Sequence, residues 1–128
     1  MKNLDIRLFK EATPELIKLV QTLEETVFEA PLSAVELERE FKSKFGLTIL
    51  IAYMDEIPCG YKIGYEQSPK RFYSWIGGIT PSHRNLGIAK ALMMRQHEIA
   101  KENGYSFVTT QTKNSFKEML VLNIKSGF

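Results

Sequence analysis

The chain has 128 residues, 44% of them hydrophobic and 25% charged, with a formal net charge of +2. That size and composition suit one globular domain with a single core, expected to span residues 1–128, and a near-balanced charge without a tight Lys/Arg run argues against a nucleic-acid partner. The lone cysteine, Cys59, suits a reducing, cytoplasmic setting; no stretch approaches the roughly 18 apolar residues of a membrane span, and the first residues lack the apolar core of a signal peptide.

In chain order, Leu4, Ile6 and Leu8 alternate with Asp5 and Arg7 and predict a half-buried strand over residues 4–9. Thr13 followed by Pro14 opens a helix with an apolar face of Leu16, Leu19, Val20, Leu23 and Val27. Ser33-Ala34-Val35-Glu36 has capping-box spacing and starts a second helix expected to bury Val35, Leu37 and Phe41. The short connection between the two helices holds Glu29, which is either a recognition group for an amine or a surface carboxylate beside a helix end.

Residues 47–54 are nearly all apolar and β-branched, the pattern of a strand covered on both faces. Asp55-Glu56 turns the chain into a strand over residues 57–65, where Cys59, Tyr61, Ile63 and Tyr65 alternate with Gly60, Lys62 and Gly64. A turn at residues 66–70 leads to a strand over 72–80. Within it, Gly77-Gly78 predicts a bulge or the close approach of another backbone, with crowding against a helix as the plainer reason. A helix over residues 87–103 sets Ile88, Leu92, Met93, Ile99 and Ala100 inward and His97 on an exposed side, and Gly104 stops it. A strand over 105–112 and a last helix, capped by Ser115-Phe116-Lys117-Glu118 and ending at Gly127, complete the order β-α-α-β-β-β-α-β-α of a mixed α/β domain.

The turn before the third helix carries the chemistry. The first N–H groups of a helix lack partners within it, and the macrodipole adds partial positive charge there. Gly87 has no Cβ and Ala89 only a methyl, so a diphosphate can approach the amides of Asn85, Leu86, Gly87, Ile88 and Ala89, with Arg84 and Lys90 adding charge.

The pattern Arg84-x-x-Gly87-x-Ala89 resembles the pyrophosphate-binding signature of the GNAT superfamily of acyl-CoA-dependent N-acyltransferases, Gln/Arg-x-x-Gly-x-Gly/Ala. The lead-in Ile79-Thr80-Pro81-Ser82-His83-Arg84 resembles the family's Val-x-Pro-x-Tyr/His-Arg, and Asn114 with Leu122-Asn123-Ile124-Lys125-Ser126-Gly127-Phe128 is similar to its later Asn and its Leu-Tyr-x-x-x-Gly-Phe helix. The resemblance implies a GNAT-like fold lacking the usual last two strands, as in a C-terminally truncated domain. It also implies an N-acetyltransferase that takes acetyl-CoA as co-substrate, uses no metal, and acts on a primary amine of a small molecule or protein.

By the same resemblance, the pantetheine arm pairs with backbone around Ile79 and Thr80, an Ile79 N–H polarises the thioester carbonyl, and Asn114 contacts the pantetheine or caps the last helix. Many members carry a tyrosine acid where this chain has Asn123, whose amide has no proton to give, so the acid is another group or water, or the thiolate leaves unaided. For the general base, Glu29, Glu66 and Tyr73 are the choices. Tyr73 and Trp75 share one side of their strand and line an acceptor pocket or fill the core. Cys59 is a core thiol or an acyl acceptor. Two other functions stay open at this point, a CoA-binding sensor or scaffold without turnover and a structural domain with no nucleotide. An open edge beside the fifth strand would favour a homodimer.

Overall fold

Thr13 and Ser33 start the first two helices as their spacing predicts. In the computed structural model, which describes residues 3–111 and 119–124, Thr13 Oγ1 accepts the N–H of Leu16 at 3.2 Å to open α1 (Pro14–Val27). Ser33 Oγ accepts from the Glu36 N–H at 3.1 Å while Glu36 Oε1 accepts from the Ser33 N–H at 3.2 Å, a complete capping box for α2 (Ala34–Ser43). Such caps contribute about 1 kcal/mol each. Val35 departs from expectation: it is 66% exposed, because the first turn of α2 turns it to solvent, while Leu37 and Phe41 are buried.

The strands are β1 (Leu4–Phe9), β2 (Thr48–Met54), β3 (Ile57–Ser68), β4 (Arg71–Ile79), β5 (Phe107–Gln111) and β6 (Met119–Asn123), and they form one six-stranded sheet in sequence order. All neighbours run antiparallel except β4 and β5, which are parallel and joined by a crossover through α3 (Ile88–Glu102). The apolar run of β2 is buried on both faces. Ile49 and Ile51 join Tyr61 and Ile63 beneath α1 and α2, and Leu50, Ala52, Met54 and Cys59 lie beneath Ile88, Leu92 and Ile99 of α3. Asp55 and Glu56 form the β2–β3 turn with φ of 51° and 71°, the left-handed pair that a two-residue hairpin requires.

Three expectations are corrected. Residues 119–123, placed by the sequence in a last helix, form β6, paired antiparallel with β5 from Phe107 opposite Asn123 to Gln111 opposite Met119. A short apolar run such as Met119-Leu120-Val121-Leu122 suits either structure, and the exposed N–H and C=O groups of β5 decide in favour of a strand. The edge expected to stand open beside β5 is therefore covered by this same chain, and the physical motive for a homodimer there is gone. His97, expected on an exposed side of α3, is 7% exposed, and Met93, expected inward, is 38% exposed, so the buried arc of the helix is rotated from the one the apolar pattern suggested.

Candidate active site

The parallel pairing of β4 with β5 runs from Arg71 opposite Phe107 to Ser74 opposite Thr110, and Trp75 to Ile79 have no β5 partner among the described residues. Beyond Ser74 the described residues of β5 give β4 no ladder partner. Trp75 is an extra residue on β4, since Ile63 faces Ile76 and Gly64 faces Ser74, and such a bulge bends the strand away from its neighbour. A groove of about 880 Å³ lies here, walled by Tyr73, Ser74 and residues 75–79 of β4, Lys62 of β3, Ala89 and Leu92 of α3, and Thr110 of β5. It adjoins a second hollow of about 640 Å³ that reaches the start of α3.

The backbone orientation of β4 follows from its end. Thr80 donates its N–H to Cys59 O at 2.8 Å, towards β3. Successive residues of a strand point their backbone groups to opposite edges, so those of Ile79 face the groove. Arg84 confirms the direction, because its Nε donates to Ile79 O at 3.2 Å.

At the start of α3 the chain makes a short 3₁₀ turn, Pro81–His83, and then two left-handed residues, Asn85 at φ 65° and Gly87 at φ 80°. His83 Nδ1 lies 3.2 Å from Thr80 Oγ1 and 2.9 Å from Ser82 Oγ, which holds the 3₁₀ turn against the strand end. Gly87 is the N-cap of α3 and supplies no side-chain hydrogen bond, so the amides of the first turn remain directed outward. A Cβ at Gly87 would meet nothing within 4 Å. What this position demands is therefore the positive φ, and open space above the turn comes with it.

The other wall is the last turn of α1. A Cβ at Gly78 would stand 2.7 Å from Val27 Cγ1, so the plainer reason for this glycine holds, with the helix lying directly on the strand. At Gly77 the close neighbour is backbone: a Cβ there would stand 3.0 Å from Tyr61 O and only at ordinary contact distance, 3.5 Å, from Cγ of its register partner Lys62. Lys62 lines the groove, and burial pushes its pKa down. One turn before Val27 stands Glu24, 2% exposed, whose Oε2 accepts the Tyr61 hydroxyl at 2.7 Å. Burial drives the Glu24 pKa up, with the Tyr61 hydrogen bond opposing; Tyr61 is in turn shifted well above the usual phenol range by burial and by the carboxylate.

Of the residues expected at the site, Ile79, Arg84, Asn85, Gly87, Ile88, Ala89 and Lys90 line the hollow at α3, and Ile79 and Tyr73 line the groove. Thr80 turns its N–H to β3, and Leu86, 49% exposed, projects from the turn. Glu29 is exposed and lines neither space. Glu66 accepts the Tyr105 hydroxyl at 2.9 Å, and burial, with this hydrogen bond second, pushes the Tyr105 pKa up to about 12. Trp75 packs edge-on against Phe41 and, with Tyr73, against Tyr65, so both rings do share one side. Cys59 is buried, donates to Ala52 O at 3.5 Å, and has its thiol pKa raised by burial, the state of a core thiol. Asn114 lies outside the described residues; Asn123 sits at the end of β6, and its side chain is outside the description. Glu24 and Lys62 were missed. Glu24 reads as part of a solvated helix face beside Glu25, and only the contact with Tyr61, 37 residues away, sets it apart.

Residues 13–118 match the acetyltransferase (GNAT) family profile. The chain belongs to the GNAT acetyltransferase family. The GNAT fold of this chain is shared by solved structures at low sequence identity. Ard1 from Thermoplasma volcanium superposes with a TM-score of 0.69 at 18% identity, covering 88% of this chain and 74% of that one. The aminoglycoside N-acetyltransferase AAC(6')-Iy in complex with CoA gives 0.70 at 14% identity, covering 88% and 79%. The ribosomal-protein-S18-alanine N-acetyltransferase from Escherichia coli gives 0.68 at 12% identity, covering 90% and 70%. No curated protein sequence matches this GNAT chain significantly. The domain is a GNAT-family N-acetyltransferase, and none of its described helices is long and apolar enough to cross a membrane.

Proposed function

We propose that this protein, as one domain over residues 1–128, transfers the acetyl group of acetyl-CoA to a primary amine by direct attack of the amine on the thioester. The observation that carries the reading is the continuity of two spaces: the uncapped first turn of α3 opens into the groove beside residues 75–79 of β4, and Ile79 belongs to both. A diphosphate bound by the amides of residues 85–89, with Arg84 and Lys90 beside it, would lead its pantetheine arm along the unpaired edge of β4. The arm would gain main-chain hydrogen bonds there as an added strand does.

In that pose the outward N–H of Ile79 supports the thioester oxygen as negative charge develops on it, and the narrow groove holds donor and amine together. Release of CoA needs no strong acid, because a thiol titrates near pH 8.5 and its thiolate is a tolerable leaving group. The names of structural neighbours supply two acceptor classes to try, aminoglycosides and an alanine of ribosomal protein S18. Calorimetric titration with acetyl-CoA, followed by thiol release with both acceptor classes, tests the reading. Binding with amine-dependent thiol release is expected; absence of acetyl-CoA binding would sink it.

A further inference from the structure

Behind the groove, on the α1 and α2 side, lies a separate cavity of about 410 Å³ with Glu24 in its wall. It adjoins the groove, because Phe28, Trp75 and Ile76 line both. The floor is apolar except for Glu24. That carboxylate is 2% exposed and receives one side-chain hydrogen bond, at Oε2 from Tyr61; Oε1 takes none among the described residues. Oε1 is not among the buried polar atoms left without a partner, so it reaches the water of the cavity, and a cationic ligand there would take the place of that water on a carboxylate otherwise surrounded by protein.

The position is also suited to the chemistry. Tyr61, which holds Glu24, is the register partner of Gly78, one residue before Ile79. Val27, one turn after Glu24, rests on the same glycine. Tyr61 therefore holds the Glu24 carboxylate in a cavity whose β4 wall is Trp75 and Ile76, the latter three residues before Ile79 on the same strand. The other charged groups facing this cavity come from α2: Glu36 and Arg39 are exposed at its rim, and Glu40 is half-buried. Glu36 is engaged in the cap of α2 and Glu40 with Lys44 at 3.2 Å, so the acceptor left for a cation in the interior is the second oxygen of Glu24, Oε1.

We propose that this cavity is the acceptor pocket, that it takes a primary ammonium on a slim apolar or aromatic stem, and that Glu24 binds the ammonium and removes its proton. The inference rests on the transferase reading above. The step balances: the ammonium gives one proton to Glu24, the free amine attacks the thioester carbon, and the C–S bond breaks. The second nitrogen proton ends on the departing CoA sulfur, and Glu24 returns its own proton to water. Glu24 would be a catalytic residue and Tyr61 a positioning residue. The raised pKa of the buried carboxylate brings it closer to that of a proton acceptor useful at neutral pH.

The experiment measures calorimetric binding of 2-phenylethylamine and n-pentylamine, and of acetyl-CoA, to wild type, E24Q and E24D, together with the pH profile of kcat/KM for thiol release. E24Q keeps the volume and an acceptor for Tyr61, and E24D moves the carboxylate by one methylene. Expected are unchanged acetyl-CoA affinity in all three, amine affinity at least tenfold weaker in E24Q, and kcat/KM lower by roughly 10²-fold, with the acidic limb of the profile lost and E24D intermediate. Equal amine binding and an unaltered profile in E24Q would overturn the assignment, as would failure of either amine to bind wild type. Acetyl-CoA binding tells the two failures apart: without it the transferase reading falls, whereas with it and an unaffected E24Q only the Glu24 assignment falls.

Discussion

Around residues 84–90 the cleft is built of backbone from one short stretch, whereas around Glu24 it is built of side chains that α1, α2, β3 and β4 bring together. The first region depends on local dihedrals, the φ of Asn85 and Gly87 and the uncapped amides of α3. The second depends on fit, with Val27 seated on Gly78 and the Tyr61 hydroxyl on a buried carboxylate. A site of the first kind tolerates change elsewhere in the molecule; a site of the second kind fails when any of its supports moves.

The largest effect should come from the packed wall. Gly78→Val would drive a branched side chain into Val27, and overpacking of this kind costs about 3 kcal/mol at the upper end of its usual range. Urea unfolding should show that loss, and adding Val27→Ala should recover part of it; full stability in the single variant would show that α1 does not rest on β4. Next is Tyr61→Phe, which strips the buried Glu24 carboxylate of its donor, with an expected loss of about 2 kcal/mol at pH 7. A double-mutant cycle with Glu24→Met, which removes the acceptor at similar volume, should return most of that as coupling, and additive losses would break the pair.

Gly87→Ala tests the local region. With nothing within 4 Å of the new methyl, only the left-handed φ opposes it, a stability effect of about 1 kcal/mol. Acetyl-CoA affinity should fall at least tenfold while amine binding at the Glu24 cavity stays as in wild type. Loss of both together would erase the distinction between the two regions. The smallest effect is in the pH dependence. Burial raises the Glu24 pKa above 4.5, so the folded chain holds that proton more firmly than the unfolded chain does. This group therefore favours the fold at acid pH, and its contribution declines as pH rises through the folded-state pKa. Relative to E24Q, wild type should gain stability between pH 7.5 and pH 4.5 in urea titrations; an identical slope would place Glu24 in a wetter setting.

The elements from β1 to β5 could be read from the chain because their signals are local. Thr13-Pro14 and the Ser33 capping box set helix starts, Asp55-Glu56 sets a hairpin, and Gly104 ends α3. The misreadings come where a distant partner decides. Residues 119–123 become a strand because β5 offers an edge, and His97 is buried because α3 turns that side towards its neighbours in the fold. Gly78 was legible as a glycine in a strand, but its reason was a helix that lies 51 positions earlier, at Val27.

The sequence by itself determined the family, the run of elements up to β5 and the turn that opens α3, since caps, turns and the residues 84–90 act within a few positions of one another. Only the tertiary structure decided that a groove runs beside residues 75–79 of β4, that β6 covers β5, and that Glu24 meets Tyr61 in the interior. A buried charge and a groove along a strand are products of what the chain packs against, and no periodicity in its residues encodes the distance between two elements.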